Sequence, residues 1–209
     1  MVSGPRRILL FGGTFDPPHR AHTELPALVA QRLHCERIIY IPAAQSPLKD
    51  DAPRSNDAHR LAMLELAIAD VPGAEISTIE LERGGTSYFI DTLTELRRPL
   101  GAGSEMRFLI GVDQALEFHH WKDWRAILDL ATPAVILRPP WTKETLREAL
   151  KREYDEDEAA RWLHWLVDAP HREISATDIR RRLAGNEPVD DLLDPLVLGY
   201  IRTHRLYAT

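Results

Sequence analysis

The segment 12–22, Gly-Gly-Thr-Phe-Asp-Pro-Pro-His-Arg-Ala-His, constrains the fold of this chain more than any other part of its sequence. It follows an apolar run at 8–11, so its order predicts a buried strand, a glycine-rich turn and the start of a helix. Glycines let a backbone approach a bulky anion, and the unpaired N–H groups at a helix start attract negative charge. His19 and His22 are three residues apart and would share one helix face. The segment therefore predicts a phosphate-binding turn with two imidazoles beside it.

The rest of the chain alternates strand-like and helical segments, which is typical of parallel strands joined by right-handed crossovers. We predict strands at 8–11, 37–42, 75–79, 107–112, 134–137 and 163–167. We predict helices at 19–33, 55–69, 87–97, 124–130, 143–160, 177–183 and 195–204. The expected fold class is α/β, a Rossmann-like, doubly wound, mainly parallel sheet with helices on both faces.

The domain organisation predicted from the sequence is simple. No internal repeat or shift in composition divides the 209 residues, so we expect a single domain over 1–209. Within it, residues 170–209 are expected to form a C-terminal helical part.

Composition excludes several classes of protein. No apolar stretch is long enough for a membrane span, and no secretory leader is evident, which predicts a cytoplasmic protein. The single Cys35 rules out an internal disulfide and leaves a cysteine zinc site short of ligands. A net charge of −6 argues against broad nucleic-acid binding. A homo-oligomer is compatible with the sequence, which does not reveal the oligomeric state.

A second motif with the chemistry of anion binding occupies 174–183, Ile-Ser-Ala-Thr-Asp-Ile-Arg-Arg-Arg-Leu. Ser175 or Thr177 could cap a helix there, and the planar Arg180 guanidinium could hold phosphate oxygens with two hydrogen bonds. Taken alone, the motif also fits a capped amphipathic helix with a basic outer face. Lys49 lies in the loop that leaves the second strand at the expected binding edge, and it could reach a phosphate from there.

With both motifs in view, the chain resembles the bacterial nicotinate-nucleotide adenylyltransferases, a branch of the HxGH nucleotidyltransferases. The family pattern Gly-Gly-Thr-Phe-Asp-Pro-x-His-x-Gly-His matches 12–22, and Ile-Ser-x-Thr-x-Ile-Arg matches 174–180. Blocks at 60–68, 80–93, 108–128 and 193–207 also fit the family, so the resemblance covers nearly the whole length.

The resemblance implies adenylyl transfer from ATP to nicotinate mononucleotide, giving nicotinate adenine dinucleotide and pyrophosphate in NAD biosynthesis. Such a reaction needs positioning and charge neutralisation rather than a protein nucleophile. The implied catalytic residues are His19 and His22, with His22 the first choice for stabilising the developing charge. The implied ATP and phosphate contacts are Gly12, Gly13, Thr14, Phe15, Lys49, Gly111, Asp113, Ile174, Ser175 and Arg180.

Mg²⁺ is the expected cofactor, carried on the ATP phosphates without a fixed set of protein ligands. Asp16 could serve as a ligand. However, an Asp before Pro-Pro equally suits the shaping of a turn, and we favour that interpretation.

The resemblance places the nicotinate mononucleotide against a second group of residues. Trp121 would stack on the pyridine, although it could instead pack with Phe118 and Trp124 in the core. The implied acceptor-binding residues are Thr86, Ser87, Tyr88, Phe89, Trp121 and Lys122.

Three departures from the family pattern stand out. Ala21 replaces a glycine, Phe89 stands where threonine is usual, and the histidine often found just before Lys49 is missing. A backbone contact at Phe89 would survive this change, whereas a side-chain hydroxyl would be lost. This departure bears on selectivity for the acid over the amide.

Other functions remain open from the residues alone. A related site could transfer an adenylyl or cytidylyl group to nicotinamide mononucleotide or phosphopantetheine. A class I aminoacyl-tRNA synthetase is disfavoured because the chain is short, acidic and without a Lys-Met-Ser-Lys-like block. A His-x-x-His metal hydrolase would need a third ligand that is not evident. A regulator could also bind the nucleotide without turnover.

Overall fold

A computed structural model describes residues 6–45, 53–101, 103–170 and 172–208. Within these residues one parallel sheet has the strand order β3-β2-β1-β4-β5-β6. Its strands are β1 Arg6–Gly13, β2 Arg37–Pro42, β3 Ala74–Ile76, β4 Ser104–Gly111, β5 Ala131–Ile136 and β6 Leu166–Val167. This order confirms the predicted Rossmann-like, doubly wound sheet.

The helices connect these strands and cover the sheet. They are α1 Arg20–Arg32, α2 Asp57–Ile68, α3 Ile79–Arg83, α4 Phe89–Leu100, α5 Val112–Leu116, α6 Trp124–Leu130, α7 Lys143–Glu153, α8 Glu156–His164, α9 Ala176–Ala184 and α10 Pro195–Thr203, with a short 3-10 turn at Phe118–His120. None of the helices in the described ranges has the length and apolar character needed to cross a bilayer.

Side chains that alternate along the strands build a core on each face of the sheet. Leu10 faces a cluster that includes Trp162 of α8, together with residues of α4 and α7. Leu9 faces the opposite cluster, which includes Val29 of α1 and Leu64 of α2. Helices therefore cover both faces, as the buried apolar strands predicted.

A third, smaller core joins α2 to α9 and α10. Met63 of α2 packs with Ile179 of α9 and with Val197 and Ile201 of α10, and all four are buried. This packing holds the helical part expected at 170–209 against the rest of the fold, and it carries the second motif toward the sheet.

The helix predicted over 143–160 is wrong in its extent, because two helices occupy this region. Tyr154 has extended backbone angles, its ring is buried, and its phenol donates to the Ala115 carbonyl at 2.8 Å. Asp155 then caps α8 by accepting from the Glu158 N–H at 2.8 Å. Burial of Tyr154 against α5 thus ends the first helix. The second helix, α8, continues to His164, so the strand predicted at 163–167 begins only at Leu166.

Two other predicted strands are cut short by a helix that follows them. The strand predicted at 75–79 stops at Ile76, and α3 begins at Ile79, with the Thr78 carbonyl accepting the Glu82 N–H. The strand predicted at 107–112 stops at Gly111, because Val112 opens the unpredicted helix α5. Both helices have only five residues, which is too short to show the repeating apolar pattern by which a helix is predicted from sequence.

Candidate active site

A cleft of about 1150 Å³ opens where β1 and β4 end side by side. The chain leaves these neighbouring strands toward opposite sides of the sheet, which is the position where doubly wound folds bind ligands. The cleft brings both predicted anion motifs together. From the first motif it is lined by Gly12, Gly13, Thr14, Phe15, Asp16, His19 and His22, and from the second by Ile174, Ser175, Ala176, Thr177 and Arg180.

The turn after β1 is held by a buried aromatic ring. Phe15 has a positive φ of 50° and is 1% exposed, with its ring packed against Phe11, Tyr40 and His22. A Cβ atom added at Gly13 would lie only 2.9 Å from that ring. Gly13 therefore makes room for Phe15, so the Phe15 side chain belongs to the core.

His19 and His22 lie at the start of α1, as predicted, and their rings stack. The ring centroids are 3.6 Å apart and the planes differ by 17°. His19 is the N-cap residue, and its backbone N–H donates to Nδ1 of His22 at 3.2 Å. Because Nδ1 of His22 accepts this bond, the ring proton of neutral His22 resides on Nε2.

The two imidazoles differ in burial. His19 is 6% exposed, and burial lowers its pKa to about 4. Its Nδ1 atom has no hydrogen-bond partner among the described residues. His19 is therefore a neutral ring near pH 7, able to donate or accept a hydrogen bond but not to supply a positive charge.

Asp16 is a hydrogen-bonding centre that joins the turn after β1 to two distant segments of the chain. It is 3% exposed, and its Oδ2 accepts the backbone N–H groups of Arg54 at 2.6 Å and Ser55 at 3.3 Å. Its Oδ1 accepts the phenol of Tyr207 at 2.6 Å. Both carboxylate oxygens of Asp16 are thus engaged by protein donors.

The second motif joins the first directly through Arg180. One guanidinium nitrogen donates to the Asp16 carbonyl at 2.7 Å, and another donates to the Thr177 hydroxyl at 3.2 Å. Ser175 is the N-cap residue of α9, but its side chain makes no capping hydrogen bond within the described residues. Ser175 and Thr177 are both exposed. Both residues thus lie at the solvent-exposed start of α9 and line the cleft.

The predicted acceptor side contains an aromatic wall. Trp121 lines the cleft and also packs against Phe118 at 4.8 Å and Phe89 at 5.8 Å between ring centroids. Trp121 therefore both packs against the core and lines the cleft. The buried Nε1 atom of Trp121 has no hydrogen-bond partner in the described ranges. Phe89, which departs from the family pattern, contributes a ring to the same wall.

The other predicted acceptor residues surround the start of α4. Lys122 forms an ion pair with Asp91 at 3.2 Å and lies 4.7 Å above the Tyr88 ring. Ser87, Tyr88 and Lys122 line the cleft, whereas Thr86 lies beside it and forms a bridge with Gln45.

Two predicted phosphate contacts, Gly111 and Asp113, are described by the structure but do not line the cleft. Gly111 and Asp113 lie at the end of β4, where the Gly111 N–H donates to Gln114 and Asp113 forms an ion pair with Arg138. Gln114 and Arg138 line the cleft in their place. Lys49 lies outside the described residues.

Sequence reasoning missed two buried charged residues near the site. Glu80 lines the cleft, is 6% exposed and accepts the Thr92 hydroxyl at 2.6 Å. Burial raises the pKa of its carboxyl group. Arg60 is fully buried in α2 and donates to the Thr14 carbonyl at 2.8 Å. In the sequence, Arg60 lies at helical spacing from the apolar residues Met63 and Leu64, and this spacing could have indicated that its charge is buried.

Known proteins are similar to this chain over most of its length. A model of the cytidylyltransferase-like family matches residues 10–182. The probable nicotinate-nucleotide adenylyltransferase of Chromobacterium violaceum is 38% identical over 208 residues, covering 96% of this chain and 98% of the relative. That of Bordetella parapertussis is 41% identical over 214 residues, covering 98% and 99%.

Among solved structures, the fold is similar to that of Plasmodium falciparum nicotinic acid mononucleotide adenylyltransferase complexed with NaAD. The TM-score is 0.74 at 19% identity, with 97% of each chain covered. A similar match, to a putative nicotinate-nucleotide adenylyltransferase from Vibrio parahaemolyticus, has a TM-score of 0.63 at 17% identity and covers 97% of this chain and 95% of the other. At these identities the likeness concerns the fold.

Proposed function

The chain belongs to the cytidylyltransferase-like family, among the nicotinate-nucleotide adenylyltransferases, and from this premise we propose that it transfers the adenylyl group of ATP to nicotinate mononucleotide. The products are nicotinate adenine dinucleotide and pyrophosphate, a step of NAD biosynthesis. The observation that carries this proposal is the convergence of two anion motifs, separated by more than 150 residues, on one cleft.

The reaction is a direct displacement at phosphorus. A 5′-phosphate oxygen of the mononucleotide attacks the α-phosphorus of ATP, forming a new P–O bond, while the bond from the α-phosphorus to the bridging oxygen breaks. Pyrophosphate takes the electron pair and leaves on the opposite side. Since the acceptor is already an anion, the protein must align two anions and offset their charge.

His22 is suited to donate a hydrogen bond to the reacting phosphate. Its Nδ1 accepts the His19 backbone N–H, which puts the ring proton of a neutral His22 on Nε2, and the ring lines the cleft. His19 complements it as a neutral imidazole, because burial lowers its pKa to about 4. We assign His22 to the charge that develops in the transition state and His19 to the positioning of the triphosphate.

Arg180 supplies the fixed positive charge at this end of the cleft. Its guanidinium is already oriented by the Asp16 carbonyl and the Thr177 hydroxyl, so little conformational freedom remains to be lost when phosphate binds. We propose that Arg180 and the N–H groups at the start of α9 bind the triphosphate opposite the histidine pair.

The pyridine of the acceptor would bind at the aromatic wall formed by Phe89 and Trp121. The flat indole face suits a pyridine ring, and the Phe89 ring packs edge-on against it. Recognition of the carboxylate by backbone N–H groups at the start of α4 would tolerate Phe89, because no hydroxyl is needed.

Mg²⁺ would enter with ATP. The described residues contain no group of three or more His, Cys, Asp or Glu side chains that could hold a metal ion. Asp16, the carboxylate nearest the phosphate turn, has both oxygens engaged by protein donors. Phosphate oxygens and water would therefore coordinate the ion, which would offset the charge of the leaving pyrophosphate.

The cytoplasm is the proposed location, as the sequence suggested.

The deciding experiment compares acceptors. Pyrophosphate release from ATP and Mg²⁺ is measured with nicotinate mononucleotide, nicotinamide mononucleotide or phosphopantetheine in parallel. The proposal expects the highest kcat/KM with nicotinate mononucleotide. A higher value with either other acceptor would reassign the substrate, and ATP binding without release in every mixture would indicate a regulator.

A further inference from the structure

We infer that Tyr207 is a positioning residue for ATP binding, acting through Asp16 on the turn that carries His19. Tyr207 follows α10 and does not line the cleft. Its phenol donates to Oδ1 of Asp16 at 2.6 Å, across 191 residues of sequence. The expected effect on ATP binding rests on the proposed function, whereas the expected effect on the turn can be measured without a ligand.

The contact is built into a buried polar network. The buried Ser55, which is 7% exposed, donates its backbone N–H to the other carboxylate oxygen of Asp16. Burial and the neighbouring Asp16 carboxylate both raise the pKa of Tyr207, so the phenol remains a protonated donor across the physiological range. Loss of this donor would leave a buried carboxylate oxygen without its partner, a costly state in a polar network.

Asp16 links this contact to two other segments of the chain. Its Oδ2 holds the backbone of Arg54 and Ser55, while its carbonyl accepts the Arg180 guanidinium. The phosphate turn, the start of the α2 segment and α9 thus meet at one residue. Tyr207 completes the hydrogen bonding of that residue, and its removal would loosen the turn and the Arg180 anchor together.

Tyr207→Phe removes only the phenol hydroxyl and keeps the ring. The matched control is Tyr200→Phe on α10, since the Tyr200 hydroxyl also makes a long-range side-chain hydrogen bond, to His59 Nδ1 at 2.9 Å, and Tyr200 does not line the cleft. Asp16→Asn serves as a conservative second variant, because its carbonyl oxygen and amide group can still hydrogen-bond to the same neighbours.

The first measurement is hydrogen exchange of the ligand-free protein. Tyr207→Phe should speed exchange in peptides that cover 14–22 and 53–56, whereas Tyr200→Phe should leave these peptides unchanged. This readout does not depend on the substrate, so it separates a failure of the inference from a failure of the proposed function.

The second measurement compares kinetic constants for the two substrates. Tyr207→Phe should raise KM for ATP by about tenfold, with a smaller change in KM for nicotinate mononucleotide. Asp16→Asn should fall between wild type and Tyr207→Phe. Equal exchange and equal KM values in the two tyrosine variants would overturn the inference. Faster exchange with an unchanged KM for ATP would reduce Tyr207 to a structural residue and overturn the positioning role.

Discussion

The imidazoles of His19 and His22 lie nearly parallel, with ring centroids 3.6 Å apart, and the backbone N–H of His19 donates to Nδ1 of His22. The His19 ring is buried and neutral, and the backbone N–H of His19 fixes the tautomer of the neutral His22 ring. The same hydrogen bond caps the start of α1, which links the geometry of the phosphate site to the folding of the helix.

His22→Ala should lower kcat by about 10²-fold or more, because a hydrogen-bond donor to the transition state is lost. Stability should fall by only about 1 kcal/mol, since the lost bond resembles a helix cap. Pyrophosphate release and thermal unfolding measure the two effects. His164→Ala, an exposed residue at the end of α8, is the control and should change neither. A large stability loss with normal kcat would make His22 a structural residue.

His19 should make the protein less stable as the pH falls from about 7 toward 4. Its folded pKa of about 4 lies below the ordinary value of 6.5, so the unfolded state binds the additional proton in this window. The resulting loss approaches about 3 kcal/mol at the acid end. Urea unfolding of wild type and His19→Asn at pH 7.5 and 4.5 checks this. The difference between the two pH values should be smaller for the variant, and equal differences would contradict the burial of a neutral imidazole.

Arg180→Lys should raise KM for ATP by about tenfold, because an ammonium cannot reproduce two hydrogen bonds from a planar guanidinium. Arg181→Lys provides a control on the same helix, where Arg181 pairs with Asp178 and Glu187 instead of lining the cleft. Its KM for ATP should stay at the wild-type value. Similar KM values in the two variants would show that Arg180 does not bind the triphosphate.

Glu80→Ala should raise KM for nicotinate mononucleotide more than KM for ATP. The carboxyl group of Glu80 accepts the hydroxyl of Thr92, so it holds the first turn of α4 next to the aromatic wall. Loss of this buried acceptor should also cost about 1–3 kcal/mol of stability, measured by urea unfolding.

The controls for Glu80 separate its hydrogen bonding from its charge. Glu80→Gln keeps an acceptor oxygen and should stay close to wild type in both measurements. Glu82→Ala changes an exposed carboxylate on the same helix and should leave both KM values unaltered. Equal effects of Glu80→Gln and Glu80→Ala would mean that the charge matters more than the hydrogen bonds.

The fold and the general location of the site were predictable because both depend on short-range patterns. Consecutive apolar residues revealed the buried strands, and parallel strands bring their carboxyl ends to one edge of the sheet. The glycine-rich turn and the Arg180 motif could therefore be assigned to a common anion site. Glu80 and Arg60 escaped prediction because a charge within an apolar pattern does not reveal which buried group it contacts.

The sequence by itself determined the strand and helix pattern, the two anion motifs and the family. Only the tertiary structure decided that Phe15 fills the core, that Tyr154 breaks a helix, that His19 is buried and that Asp16 is satisfied by Tyr207. The physical reason is range: periodicity and turn chemistry act over a few residues, whereas burial and hydrogen bonds join side chains that only the packed chain brings together.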